Sequence, residues 1–213
     1  MGSSLWPSLW ASLAFGFLAG SIPFGVLVGR TFFNTDIRAS GSGNIGAANA
    51  LRTMGKKAGA AILVLDALKG ALAIAVASRL VTMSSDPQAL ACIPLAGLAA
   101  VLGHCYTPWL RFRGGKGVAT YLGALFALSW EAGAIFVLIW LAVVLRAEYA
   151  SLGSMSAAIL AGAAFMLLGG SARYGIGAAM FAVGAAAVIV WQHRENIARL
   201  RAGGENRTSL IKR

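Results

Sequence analysis

Acidic residues are scarce in this chain, whose 213 residues hold seven Asp and Glu against eighteen Lys and Arg. Seven carboxylates are too few for the clustered acidic ligands of a magnesium-dependent lipid phosphotransferase, so the sequence supports no metal site. Two cysteines and two histidines exclude iron–sulfur clusters, zinc fingers and disulfide scaffolds. Cys92 and Cys105 sit at opposite ends of one apolar stretch, which as a helix would separate them by about 20 Å, beyond the reach of a disulfide. Prolines number five, so the 27 glycines, which lie inside apolar runs, belong to neither collagen nor low-complexity sequence. Charge of either sign is sparse as well. The chain is 12% charged and 58% hydrophobic, against roughly 25% and 45–50% for ordinary soluble domains. That balance points to a helical membrane protein.

The first long apolar stretch, Leu5 to Val28, lacks the basic n-region of a signal peptide and is long enough to span, so it is read as a retained first helix. Further apolar segments run over 58–80, 90–105, 117–128, 132–145, 152–168 and 174–191. The segments at 117–128 and 132–145, separated by Ser129, Trp130 and Glu131, are short, and they read as one long helix, two short spans or a re-entrant pair. Charge placement selects the hairpin. With it, all basic residues except Arg79, Arg173 and the intra-span Lys69 fall on one side, fifteen of eighteen. Merging the two segments would send the basic C-terminus to the other side and destroy the asymmetry. The expected fold is an all-α bundle of seven transmembrane helices, N-terminus outside and C-terminus cytoplasmic. It forms a single domain over 1–213, with cytoplasmic loops around 30–57, 106–116 and 146–151 and a basic tail at 192–213. The net charge of +11 is then mostly an orientation signal, and nucleic acid is not an expected partner.

Four polar constellations fall on that cytoplasmic side. The first runs from Gly41 through Ser42, Gly43, Asn44 and Gly46 to Arg52. Its G-x-G-x-x-G opening follows no strand, which argues against a dinucleotide site. Its glycines let backbone N–H groups approach an anion, Ser42 or Asn44 can cap the following helix, and Arg52 lies about two turns on. Taken alone, this segment is better explained as an ordinary Gly/Ser turn into a small-residue helix. The second runs from Gly103 and His104 to Gly114, Gly115, Lys116, Gly117 and Thr120. A Gly-Gly-Lys-Gly turn opening a helix offers N–H donors, the positive end of the helix dipole and an ammonium at one point, which reads as a phosphate cradle, with a tight turn beside a positive-inside lysine as the plain alternative. It is not a Walker A loop, because Leu110 stands where the first glycine would be needed and no magnesium-binding hydroxyl directly follows Lys116. The third, Tyr149 to Ser156, places Ser151 and Ser154 three apart at a helix start, where both hydroxyls can face one way and donate to a phosphate or a carbonyl. The fourth, His193 to Asn196, follows the last span, and a continued helix would put His193 and Asn196 on one face. Capping and a solvated basic tail are the plain alternatives for these two.

Asp66 and Lys69 lie within the second span, three residues apart, so the pair must face protein or a polar cavity. No G-x-S-x-G elbow occurs, so a hydrolase-type serine nucleophile is unsupported. His104 is followed five positions later by Trp109 rather than by aspartate, and the His/Asp box of acyl-CoA-dependent glycerol-phosphate acyltransferases is therefore missing.

Taken together, the motifs resemble those of the bacterial acyl-phosphate:glycerol-3-phosphate acyltransferase family over essentially the whole chain. The matching residues are G-S-G-N-I-G-A-A-N-A-L-R from Gly41 to Arg52, G-H at Gly103, G-G-K-G-V-A-T from Gly114 to Thr120, Y-A-S-L-G-S from Tyr149 to Ser154 and H-R-E-N from His193 to Asn196. D-A-L-K-G from Asp66 is also similar, while Ala48 departs from the threonine common in the family. The resemblance implies a seven-helix enzyme of the bacterial inner membrane. Its substrates would be fatty acyl phosphate and glycerol 3-phosphate, with the acyl group moved to the sn-1 hydroxyl to give lysophosphatidic acid and inorganic phosphate. It implies no cofactor and membrane lipids as surroundings. Carried over motif by motif, Ser42, Arg52 and Lys116 are the implied catalytic residues. His193 and Asn196 would join them in holding glycerol 3-phosphate, and Gly43, Asn44, Gly114, Gly115, Gly117 and Ser151 would surround the reacting acyl phosphate.

The chemistry agrees with that assignment. An acyl phosphate is already activated, so catalysis can rest on placing the hydroxyl near the carbonyl and stabilising the oxyanion and leaving phosphate, without a metal or an enzyme nucleophile. A membrane transporter for organic phosphates would also show glycine-rich spans and a cationic pocket, although the chain has no evident inverted repeat. A non-catalytic helix-packing subunit leaves four polar motifs on one face unexplained.

Overall fold

The computed structural model describes residues 5–82 and 87–208, which form a bundle of helices with no strand among the described residues. The first apolar stretch is not the single helix expected. It breaks into α1 (Leu5–Ser21) and α2 (Phe24–Phe33), because Pro23 has no N–H to donate and disfavours helical backbone at the residue before it. The break strips two carbonyls of their intrahelical partners, and the bundle uses both. Thr107 Oγ1 donates to Ser21 O at 2.6 Å, and Lys69 Nζ donates to Ile22 O at 2.9 Å.

After a loop, α3 (Ala47–Met54) turns at Gly55 into α4 (Lys56–Thr82), and α5 (Cys92–Cys105) returns with the two cysteines at its opposite ends, both buried. The two short segments are separate helices, α6 (Val118–Leu128) and α7 (Trp130–Ala147). Ser129 divides them by capping α7, its hydroxyl accepting from Ala132 N at 3.2 Å. Trp130 and Glu131 therefore join α7, which reaches 18 residues rather than the shorter run read from hydropathy. The chain continues with α8 (Ala150–Phe165), a distorted turn, α9 (Ser171–Tyr174), α10 (Ile176–Gln192) and α11 (Arg194–Arg201), the last bent 56° from α10.

Five helical stretches among the described residues are long and apolar enough to cross a membrane: Trp6–Phe33, Lys56–Thr82, Pro87–Leu110, Trp130–Ala147 and Ala150–Tyr174. The bent pair of α10 and α11 makes a sixth candidate. By this measure the count falls short of the seven expected because α6, at 11 residues, is about 16 Å long, roughly half the hydrocarbon thickness of a bilayer. Large apolar side chains such as Leu18, Leu68, Leu138, Ile159 and Val183 point outward and are exposed, which suits lipid as solvent and not water.

Inside, the helices approach closely through small residues, as membrane helices do. A Cβ at Gly70 of α4 would collide with Thr120 O of α6. The Tyr121, Phe136, Phe165 and Phe181 rings fill the centre, with Tyr121 and Phe181 centroids 5.1 Å apart. The alternation of helix direction brings the segments 34–46, 106–117, 148–149 and 193–208 to one end of the bundle. Lys116 meets Asn196, Thr208 N donates to Glu148 O, Ser151 just beyond 148–149 meets Glu205, and Arg38 and Gly43 line one groove with Trp109, Arg111 and Arg113.

Candidate active site

The loop before α3 is held from within by Asn49, a buried side chain that the sequence reading left without a role. Its Oδ1 accepts from Ser42 N, and its Nδ2 donates to Ile37 O, Ser40 O and Asn44 O at 2.9 to 3.2 Å. Ser42 and Arg52 are thereby brought together, with Arg52 Nη2 donating to Ser42 Oγ at 3.3 Å and both residues exposed. Neither Ser42 nor Asn44 caps α3. Gly46 occupies the N-cap without a side-chain bond, and Asn44 Oδ1 instead accepts from Gly46 N at 2.9 Å. Gly43, with φ +69°, lines an adjacent groove of about 820 Å³ with Arg38, Trp109, Arg111 and Arg113. Asn49→Ala leaves Ser42 N and three carbonyls without this partner. It is expected to cost about 1–3 kcal/mol of stability, read as a lowered thermal midpoint together with weaker function of the Ser42–Arg52 pair.

The Gly-Gly-Lys-Gly turn opens α6 as expected, with Gly117 at φ +80° as the residue before the first helical turn. Its N–H groups are not all turned toward a ligand, however. Gly115 N donates to His104 O and Gly114 N to Cys105 O, each at 3.0 Å. Those carbonyls end α5 and would otherwise lack partners, so the first two glycines tie the loop to α5. A Cβ at Gly115 would collide with His104 Nε2. The cationic group of the turn is the Lys116 side chain, just before the start of α6.

Beneath this turn, Asp66, Lys69 and His104 form a buried cluster, and the first two face protein as the sequence required. Asp66 Oδ1 lies 2.8 Å from Lys69 Nζ and 3.5 Å from His104 Nδ1. The same ammonium reaches Ile22 O at the Pro23 break and stands 5.7 Å from the Phe24 ring. Through His104 the cluster braces the Gly-Gly-Lys-Gly turn from below.

Lys116 is half-buried, and its ammonium donates to Asn196 Oδ1. Burial lowers its pKa to about 8, with the Arg199 and Arg52 charges pushing the same way and Glu205 and Glu195 opposing. Arg52 is thus near enough for its field to be felt at Lys116. His193, Asn196 and Ser151 are buried around the same point. His193 stands in the break between α10 and α11 rather than in a continuous helix. Its Nδ1 lies 2.7 Å from Ile189 O. A carbonyl can only accept, so Nδ1 carries the proton there and Nε2 is left as an acceptor. Ser154 turns away, donating to Ala150 O and accepting from Trp140 Nε1, so the two serines do not act on one point.

The residue that sequence reasoning missed is Glu205. Helix α11 ends in a Schellman turn, in which Gly203 at φ +71° donates to Leu200 O and Gly204 N to Arg199 O at 2.9 Å. That turn sends the tail back over its own helix. Glu205 Oε1 accepts from Ser151 Oγ at 2.7 Å and from Asn196 Nδ2 at 2.5 Å, and Oε2 accepts from Arg199 Nε at 2.8 Å. These donors hold its carboxyl below the usual carboxylate range despite burial. The adjacent Gly-Gly pair after a basic helix was the available sequence signal.

A polytopic helical membrane protein with a polar, cation-bearing cluster of Ser42, Arg52, Lys116, Ser151, His193 and Asn196 at one end is the class these features define. The family model for glycerol-3-phosphate acyltransferase matches residues 10–203. The Rhodopseudomonas palustris (strain HaA2) glycerol-3-phosphate acyltransferase is 45% identical over 197 residues, 92% of this chain and 94% of that protein. The Myxococcus xanthus (strain DK1622) glycerol-3-phosphate acyltransferase is also 45% identical, over 92% of this chain and 98% of its own length. Among solved structures, the glycerol 3-phosphate form of PlsY (YgiH), an integral membrane glycerol 3-phosphate acyltransferase, matches with TM-score 0.84 and 38% identity, covering 95% of this chain and 96% of that one. Its lysophosphatidic acid form matches with TM-score 0.82 and 37% identity, over the same shares of both chains. The chain belongs to the glycerol-3-phosphate acyltransferase family and is a membrane acyltransferase.

Proposed function

We propose that the protein transfers a fatty acyl group from acyl phosphate to the sn-1 hydroxyl of glycerol 3-phosphate, giving lysophosphatidic acid and inorganic phosphate, with no covalent acyl-enzyme. In this reading the fold crosses the bacterial inner membrane seven times as one domain. The N-terminus is outside, α6 and α7 form the short hairpin, and the site and basic tail face the cytoplasm. The observation that carries the reading is the convergence of Lys116, Asn196, Ser151 and His193 beside Arg52 and Ser42 at the end of the bundle that bears most of the basic residues.

The roles follow from the donors each residue has. Arg52, Ser42 and Lys116 are donors for the glycerol-phosphate phosphoryl oxygens. Asn196 meets Lys116 directly, and His193, kept neutral by burial and the Lys116 charge, offers Nε2 as an acceptor for a glycerol hydroxyl. The start of α6 after Gly117 and the Ser151 hydroxyl stabilise charge on the acyl phosphate, and Gly114 and Gly115 serve by holding that turn on α5. The groove beside Gly43 and Asn44 gives the donor headgroup a basic approach from the membrane surface. As the hydroxyl oxygen attacks the carbonyl carbon, the bond from that carbon to the phosphate oxygen breaks and the departing phosphate takes the hydroxyl proton. Placement and electrostatics carry the rate in such a reaction.

Purified protein given palmitoyl phosphate and glycerol 3-phosphate, without metal or coenzyme A, should release lysophosphatidate and phosphate. Counterflow of glycerol 3-phosphate in liposomes without product would instead support an organic-phosphate carrier. A pH profile gives a further check. Lys116 binds phosphate only when protonated, and its pKa of about 8 places the loss of charge just above neutrality. Since kcat/KM reports the free enzyme, it should hold level below pH 8 and fall about tenfold per pH unit well above it. A profile flat to pH 10 would contradict the role of Lys116.

A further inference from the structure

Glu205 raises a question of charge. A site that binds phosphate gathers cations, yet this carboxylate stands among them with its side chain 5% exposed. It comes from the tail and not from any of the four motif segments. The bonding pattern around Asn196 gives the reason. A carboxylate can only accept and an ammonium can only donate, so an amide placed between Glu205 and Lys116 has one permitted orientation. Its Nδ2 faces Glu205 and its Oδ1 faces Lys116, as observed. The same carboxylate fixes Ser151 Oγ on the α8 side and the Arg199 guanidinium on α11. One side chain thus joins the start of α8, both the first and last turns of α11 and, through Asn196, the turn before α6. Two outer contacts hold the tail in place, Arg207 Nη1 to Glu148 Oε2 at 3.0 Å and Thr208 N to Glu148 O.

We propose that Glu205 is a positioning residue for glycerol 3-phosphate, orienting Asn196 and keeping Lys116 and Ser151 in binding geometry while supplying the negative charge that the free site needs. The inference rests on the reading of Lys116 as a phosphate-binding cation. Without an anion, Lys116, Arg52 and Arg199 repel one another, and a half-buried ammonium tends to lose its proton. The charged groups acting on Lys116 are Arg52 of α3 and Arg199 of α11, which oppose its charge, and Glu195 of α11 and Glu205 of the tail, which favour it. His193, between α10 and α11, also feels the Lys116 charge. Glu205 is the largest of the favourable contributions. Its carboxylate acts through Asn196, Lys116 and Ser151 and transfers no proton itself.

The test is Glu205→Gln, assayed with palmitoyl phosphate and varied glycerol 3-phosphate across pH. The amide keeps the size but loses the charge and can no longer accept at both oxygens. The KM for glycerol 3-phosphate should rise about tenfold, and the alkaline limb of kcat/KM should move down by about one pH unit. Glu205→Asp keeps the charge with a shorter reach, so its limb should stay near the wild-type position even where its KM rises. An unchanged KM and limb in Glu205→Gln, or a loss of thermal stability with the limb in place, would overturn the proposal. So would a lowered KM, which would make the carboxylate a stand-in for the substrate phosphate. If Lys116→Ala proves fully active, the failure belongs to the phosphate reading of the site; if only the Glu205 variants behave as wild type, it belongs to this inference alone.

Discussion

Lys116→Ala is expected to lower kcat/KM for acyl transfer by roughly 30- to 1000-fold, the scale of about 2–4 kcal/mol for one lost electrostatic contact in a dry site. The size follows from where the ammonium sits. It is half-buried, it meets Asn196 directly, and it stands beside a helix start set by Gly117. An exposed lysine on the same basic face, such as Lys57 at the start of α4, would be screened and should tolerate alanine with little change in turnover. Steady-state kinetics on both variants, each checked for an unaltered thermal midpoint, separate a specific phosphate contact from the general positive charge of this end. Lys116→Arg keeps the charge but carries a planar head too large for the ammonium's place between Asn196 and the α6 start, and should recover only part of the loss.

The second large effect is on stability. Asp66→Ala removes the carboxylate between Lys69 and His104 and leaves an ammonium buried with one carbonyl, Ile22 O, for company. Breaking a buried pair by deleting one partner typically costs about 3–5 kcal/mol, because the remaining charge is uncompensated. We therefore expect a large drop in the thermal midpoint in detergent and loss of activity through the turn that His104 braces. The double variant Asp66→Asn with Lys69→Met removes both charges and should regain most of the stability. If the single Asp66→Ala variant melts with the wild-type protein, the cluster is not a structural brace.

The sequence made the membrane class legible because hydropathy and charge asymmetry are properties of whole segments, insensitive to detail. The same held for the Gly117 helix start and for the inward-facing Asp66 and Lys69, each a short-range consequence of spacing. What sequence reasoning lost was the identity of hydrogen-bond partners across the chain. Gly114 and Gly115 read as donors for a ligand, yet their N–H groups satisfy the end of α5, which no local pattern announces. Asn49 stood within a recognised motif, and only the folded loop shows that it holds Ser42 in place. Ser154 looked like the companion of Ser151 but bonds within α8 and to α7. Pro23 was a visible break signal outweighed by the apolar run around it. Glu205 lay beyond every motif, and its return depends on the Gly203 turn at the end of α11.

Direct transfer between two phosphate-bearing substrates is the center of this account, and a single-turnover experiment tests it most directly. Enzyme in excess is mixed with palmitoyl phosphate labelled in the acyl chain, first alone and then with glycerol 3-phosphate, and quenched at short times. The account predicts no label on the denatured protein at any time, and equal amounts of labelled lysophosphatidate and free phosphate appearing together once glycerol 3-phosphate is present. Label carried on the protein before lysophosphatidate appears would contradict it, as would lysophosphatidate formed from acyl-coenzyme A but not from acyl phosphate.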